Sequence, residues 1–302
     1  MNVLQMNRVY VVVVVLLTGV AGLLFADIGA GLQEADDLLD AEDHAAAMSV
    51  LEGLLAQAGS GAEQAEIYWR MASATLTRGD QRDDAGASEE ELLAIYEEGE
   101  TYADQAIEAD PRNPLGYYWK SANIGRWGQT KGVLNSLFRA SDMRDLLSEA
   151  ISYNPAHADS YYVLGQLYAR VPSMLSFGNV DYAVSLARRS VDLMEEELRS
   201  GDREEEQHDF SVQLASHLID RGWNERKRRR EHPSMAEDYR SASSELERGF
   251  YYEGTVDIPA MDDEEEAREI LTAVISRLEA IPRKLPSDLR RLEKARELLA
   301  GL

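Results

Sequence analysis

Four arginines recur at one place in a repeating pattern. Each stands five residues after a small residue: Arg78 after Ser73, Arg126 after Ser121, Arg170 after Gly165 and Arg221 after Ser216. That spacing puts each guanidinium near the end of a helix, where a cation complements the helix dipole by about 0.3–1 kcal/mol. Gly79, Gly128 and Gly222 mark the same helix ends. If such helices stack side by side, roughly 10 Å apart, the arginines form a ladder on one wall. Neighbouring rungs then repel by about 0.4 kcal/mol in water and about 1.7 kcal/mol at an effective dielectric of ~20. An open groove tolerates this, whereas a narrowed one calls for an anion.

One turn earlier on the same face lie Arg70, Tyr118 and Tyr162, with Gln166 a turn beyond Tyr162 and Trp119, Asn123 and Trp127 alongside. Phe177 and Asn179, in the loop Ser176 to Asn179, complete the candidate ligand-binding set with the ladder residues Arg78, Arg126 and Arg170. Aromatic walls with a few cationic and hydrogen-bonding groups suit a small organic acid or a peptide strand. Tyr117, Trp119 and Tyr161 also read as ordinary packing residues, while Tyr118 and Tyr162 are predicted to face outward. No catalytic set accompanies them: there is no GxSxG, no phosphate loop and no HExxH, and His208 and His217 stand nine residues apart. The acidic triads at 89–91, 204–206 and 264–266 lack the alternating oxygen ligands of a calcium loop. The sequence therefore predicts no enzyme, no metal and no cofactor.

A scaffold of paired helices is needed to position these residues. The stretch Asn113 to Leu193 reads as two consecutive helix-turn-helix repeats in which Tyr117, Ser121 and Ile124 fall over Tyr161, Gly165 and Tyr168. An aromatic residue, a small residue four later and an apolar one three beyond make the tetratricopeptide pattern. Earlier pairs are predicted over 31–59 and 63–111, with Ser88 as a helix cap ahead of three glutamates. A fifth pair follows the acidic linker after residue 193, with "NERKRRREH" as the turn between its helices and Pro233 opening the second. Insertions within the second, third and fourth pairs are expected to stack as loops on one rim. The fold class is thus all-α: a tetratricopeptide-like superhelix over 27–260, closed by capping helices over 261–302.

Lys and Arg number 31 against 55 Asp and Glu, a formal charge of −24, which disfavours nucleic acid as a partner. The basic run 226–230 then reads as a solvated turn. Cysteine is absent, which excludes disulfides, thiolate metal sites and a lipid-anchoring cysteine. Residues 1–26 carry Arg8 as their only charge and end Leu24-Phe25-Ala26, the form of a cleaved export signal. A periplasmic location is expected; the alternative is an inner-membrane anchor over 9–26.

The segments "YYWKSANIGRWGQTKGVLNSL" and "AISYNPAHADSYYVLGQLYARVP", with the "SFGNVDYAVSLARRSVDL" that follows, resemble two related groups. One is the T component associated with periplasmic TRAP transporters. The other is the regulator of microtubule dynamics family. The resemblance covers about residues 100–195, and on it Trp119, Gly125, Arg126, Gly165 and Ser176 to Asn179 carry over. The first group implies a homo-oligomer, a trimer, docked to the transporter's substrate-binding protein and handing over an organic acid. An alternative partner is another envelope protein whose peptide lies in the groove.

Overall fold

The computed structural model describes residues 28–302 apart from 175 and 204, so the expected export segment lies outside the described residues. All the regular structure among the described residues is helical. The chain divides into two compact units, the first ending at Lys131 and the second beginning at Gly132.

The first unit contains α1 (Ile28–Asp40), α2 (His44–Leu55), α3 (Gly61–Asp84), α4 (Glu89–Ala109) and α5 (Pro114–Lys131). Helix starts are set by local chemistry. Ser60 and Glu63 satisfy each other's backbone in a capping box at α3, and Ser88 accepts from the Glu91 amide at α4, as the sequence predicts. Ala35, Leu51, Leu54, Ile67 and Met71 form the core beneath α1, α2 and α3. Helix α5 packs on both α3 and α4.

The second unit contains α6 (Val133–Tyr153), α7 (Ala158–Arg170), α8 (Val180–Ser200), α9 (His208–Arg221), α10 (Glu225–Ser241) and α11 (Glu245–Phe250). A 3-10 turn (Tyr252–Thr255), α12 (Asp263–Ala280) and α13 (Pro286–Ala300) complete it. Its core joins α8, α9, α12 and α13 through Val184, Leu218, Leu271, Leu278 and Leu292. The helices expected to cap the array thus share one core with the repeat helices before them.

Three expectations change. The insertions of the second and third pairs are not rim loops: α3 and α4 run on until four residues separate them, and α5 and α6 are separated by Gly132 alone. Of the three, only 171–179 is a loop. The third pair also divides between the two units. Finally, the run 226–230 is no turn but the start of α10, with Pro233 inside that helix. Asn224 caps it by accepting from the Lys227 amide, and Arg228 is buried among carboxylates, while Arg226, Arg229 and Arg230 are exposed.

Candidate functional site

In the first unit the ladder residues turn to different neighbours. Arg78 Nη2 donates to Glu98 of α4 at 2.5 Å. Arg126 Nη2 donates back to Asp80 of α3 at 2.7 Å, while its Nη1 reaches Gln129. Arg70 grips Asp36 of α1 through two nitrogens, at 2.7 and 2.9 Å. The two rungs of this unit therefore reach to different helices, and each is paired with a carboxylate.

The neighbouring candidates are also engaged. Trp127 Nε1 donates to Glu97 at 2.9 Å, and Tyr118 meets Trp119 edge-on at 5.1 Å. Asn123 is fully buried; its Nδ2 donates to the Trp119 and Ala72 carbonyls. Its Oδ1 has no partner and faces Gly99, where a Cβ would come within 2.1 Å. Asn123 is thus a link between α5 and α3 over a glycine, not a groove residue.

In the second unit Tyr162 stacks on Phe210 at 4.6 Å, so it is packed rather than presented outward. Burial pushes its phenol up to about 12, and it stays protonated. Gln166 reaches Gln213, whose own Nε2 donates to the Tyr162 carbonyl. That contact requires Gly165, because a Cβ there would meet Gln213 at 2.7 Å. Arg170 is exposed at the end of α7. Phe177 packs edge-on against Tyr168, with the Arg144 guanidinium 4.9 Å above its ring. Asn179 caps α8 by accepting from Asp181 and Tyr182, and its amide donates to the Tyr168 carbonyl. The loop therefore folds back on α7.

The fourth rung, Arg221, is buried inside an ion network. Its Nε and Nη2 hold Asp263 at 2.8 Å each, and it also donates to Glu253. Arg188 reaches Glu266 at 2.8 and 3.1 Å and Glu253 at 3.2 Å. Arg228 donates to Glu266 and to the Met261 carbonyl and lies 3.3 Å from Asp263. Three guanidiniums thus face three carboxylates. Burial alone would raise the Glu253 carboxyl, but Arg221, Arg188 and Arg228 outweigh it and hold the group at about 2. Each carboxylate is shared by two of the guanidiniums, while Arg188 Nε and Arg228 Nε have no hydrogen-bond partner.

One cavity is different. Between α2 and α3 lies a cleft of about 450 Å³ whose walls include Glu42, Asp43, His44, Glu52, Arg78 and Gln81. Of the ladder and its neighbours, Arg78 alone takes part. His44, the first residue of α2, is 6% exposed, yet neither ring nitrogen has a hydrogen-bond partner. Burial lowers its pKa, against Glu42 and Asp43, so the ring is neutral. Glu42 adopts φ 60°, a left-handed conformation costing about 1–2 kcal/mol in a residue with a Cβ. Gln81 spans the end of the cleft, its Nε2 reaching the Glu42 carbonyl at 3.5 Å and carboxylate at 3.4 Å. Sequence reasoning passed over Glu42 and His44 because "DAEDH" reads as turn punctuation; a histidine directly after an aspartate cap was the one available signal.

Residues 31–179 match the family described as regulator of microtubule dynamics protein 1-3. That span takes in the whole cleft. Among curated proteins, regulator of microtubule dynamics protein 1 of Bos taurus is 30% identical over 103 residues, which is 34% of this chain and 32% of the relative. The chain spans about a third of the length of that curated relative.

Proposed function

We propose that this protein is a non-enzymatic binding scaffold built from helix pairs. The observation that carries the reading is the α2–α3 cleft: it offers about 450 Å³, yet His44 on its wall pairs with no hydroxyl that it could deprotonate and no carboxylate that would orient it as a base. The other candidate polar groups largely serve packing and capping. We further propose an exported accessory of solute uptake whose partner is a TRAP-transporter substrate-binding protein. The charge pattern of residues 1–26 and the resemblance over about 100–195 support that partner. Cross-linking in the native source, with amino-terminal sequencing of the isolated protein, tests it. A mature chain beginning at Asp27 and cross-linked to a substrate-binding protein is the expected result. A cytosolic protein that retains its first residues overturns it.

A second reading is a protein-interaction scaffold without a transport role. The match of 31–179 to proteins named as regulators of microtubule dynamics favours it. In that case the same cross-linking recovers a protein partner other than a substrate-binding protein.

A further inference from the structure

We propose that the outward face of the first two turns of α10 docks a short acidic segment of a partner protein. The proposal rests on the reading of the chain as a binding scaffold and names the chemistry of its partner. Arg226, Arg229 and Arg230 stand at i, i+3 and i+4, so they share one side of the helix, and all three are exposed. The opposite side holds the helix to the body. There Arg228 is buried between Asp263 and Glu266, and His232 Nε2 meets the Val256 carbonyl at 2.9 Å.

These cations differ from others on the surface in how they are answered. Arg126, Arg277 and Arg296 reach carboxylates on other helices or loops: Asp80, Glu206 and Glu279. Arg229 and Arg230 pair only with Glu225 and Glu231 of their own helix, with side chains 75% and 69% exposed. Arg226 meets no carboxylate among the described residues, and Asp262, at the start of α12, accepts from the Glu225 amide instead. The helix does not call for cations here, because its dipole disfavours them near the N-terminus. The local pairs contribute little and occupy few of the five N–H donors that each guanidinium carries.

Charge and spacing select the occupant. A body of formal charge −24 repels long polyanions and anionic membranes. The basic face is also short, since exposed Glu237 closes the stripe after Pro233. Arg226 and Arg230 are about 6 Å apart along the axis at 1.5 Å per residue. Alternate side chains of an extended peptide are about 6.6–6.8 Å apart. A Glu-x-Glu segment therefore meets both guanidiniums in register, in the fork geometry that suits carboxylates.

Fluorescence anisotropy of a labelled peptide of alternating glutamate and glycine, titrated with the full chain, tests the proposal; a glutamine–glycine peptide is the neutral match. Saturable binding of the acidic peptide alone, weakening as salt is added, is expected. The triple variant Arg226→Gln/Arg229→Gln/Arg230→Gln is expected to weaken it about tenfold, as the loss of three exposed ion pairs implies. Arg268→Gln/Arg283→Gln/Arg290→Gln removes the same charge from exposed positions outside α10 and is expected to leave binding unchanged. The α10 variant is also expected to melt within about 4 °C of the parent; a larger fall would assign the arginines to the fold and overturn the docking face. No binding of the acidic peptide, equal weakening by both triple variants, or equal binding of duplex DNA or phosphatidylserine vesicles overturns it too. If the peptide fails while cross-linking still finds a protein partner, the acidic class falls and the scaffold stands; if both fail, both fall.

Discussion

The first unit pairs Arg126 where water still reaches it; the second buries Arg188, Arg221 and Arg228 in its interior. Arg126 and Asp80 meet with side chains 43% and 34% exposed, while Arg221, Glu253 and Asp263 are 0–2% exposed. The same sequence position, five residues past a small residue, thus gives a screened surface pair at Arg126, an exposed side chain at Arg170 and a desolvated network at Arg221. An exposed pair contributes about 0.2–1 kcal/mol. A buried set is neutral or slightly unfavourable as a whole, yet breaking it leaves an uncompensated charge.

The largest expected effect is therefore Arg221→Met, which strands Glu253 and Asp263. It is expected to cost about 3–5 kcal/mol in urea denaturation. If Arg221→Met costs no more than a surface pair, the contrast between the units fails.

Acid is expected to act next, and also on the second unit. His217 is buried, neither ring nitrogen has a partner, and burial followed by the nearby Arg170 lowers its pKa to about 4. A folded-state value below the unfolded one means that protonation favours unfolding. Its contribution is intact above about 6.5 and is lost as the pH falls towards 4, roughly 3 kcal/mol in all. Glu253 follows: its stabilisation is present above the unfolded value and lost as the pH falls through about 2. Stability measured from pH 7 to 4 is expected to fall less in His217→Leu than in the unaltered chain. An unchanged slope would remove His217 from the account.

In the first unit, Gly99→Ala is expected to destabilise by about 1–3 kcal/mol, since its Cβ would sit 2.1 Å from Asn123 Oδ1. Adding Asn123→Ala is expected to recover part of that loss; simple additivity of the two changes would show that the contact does not matter. Smallest of all, Arg126→Ala is expected to cost at most about 1 kcal/mol in the same denaturation experiment. A loss as large as that of Arg221→Met would erase the distinction drawn between the units.

Local features were legible. Ser88 was recognised as a cap because a hydroxyl before three glutamates has one dominant use. Of the three glycines read as helix ends, Gly222 is one, at φ 59°, whereas Gly79 and Gly128 lie inside α3 and α5. The small residue at each repeat centre was also right in kind, Gly165 admitting Gln213 from α9. The ladder was not legible. Helical periodicity shows which residues share a stripe on one helix, but not which carboxylate from a distant segment meets that stripe. Arg221 meets partners 32 and 42 residues away, and Arg188 meets Glu266 across 78. Rim loops failed for a related reason: "DQRDDAGASEEE" and "GQTKGVLNSLFRASD" look like insertions when counted against a minimal repeat, yet the helices on either side run through most of their residues and leave only 85–88 and Gly132 between them.

The sequence by itself determined that the chain is helical and that it carries no cysteine chemistry, because helix propensity is local and composition needs no fold. Only the tertiary structure decided which arginines are answered, which histidines stand alone and which carboxylates border an open space. Those outcomes depend on desolvation and on charges brought together from far along the chain, and neither quantity exists until the helices pack.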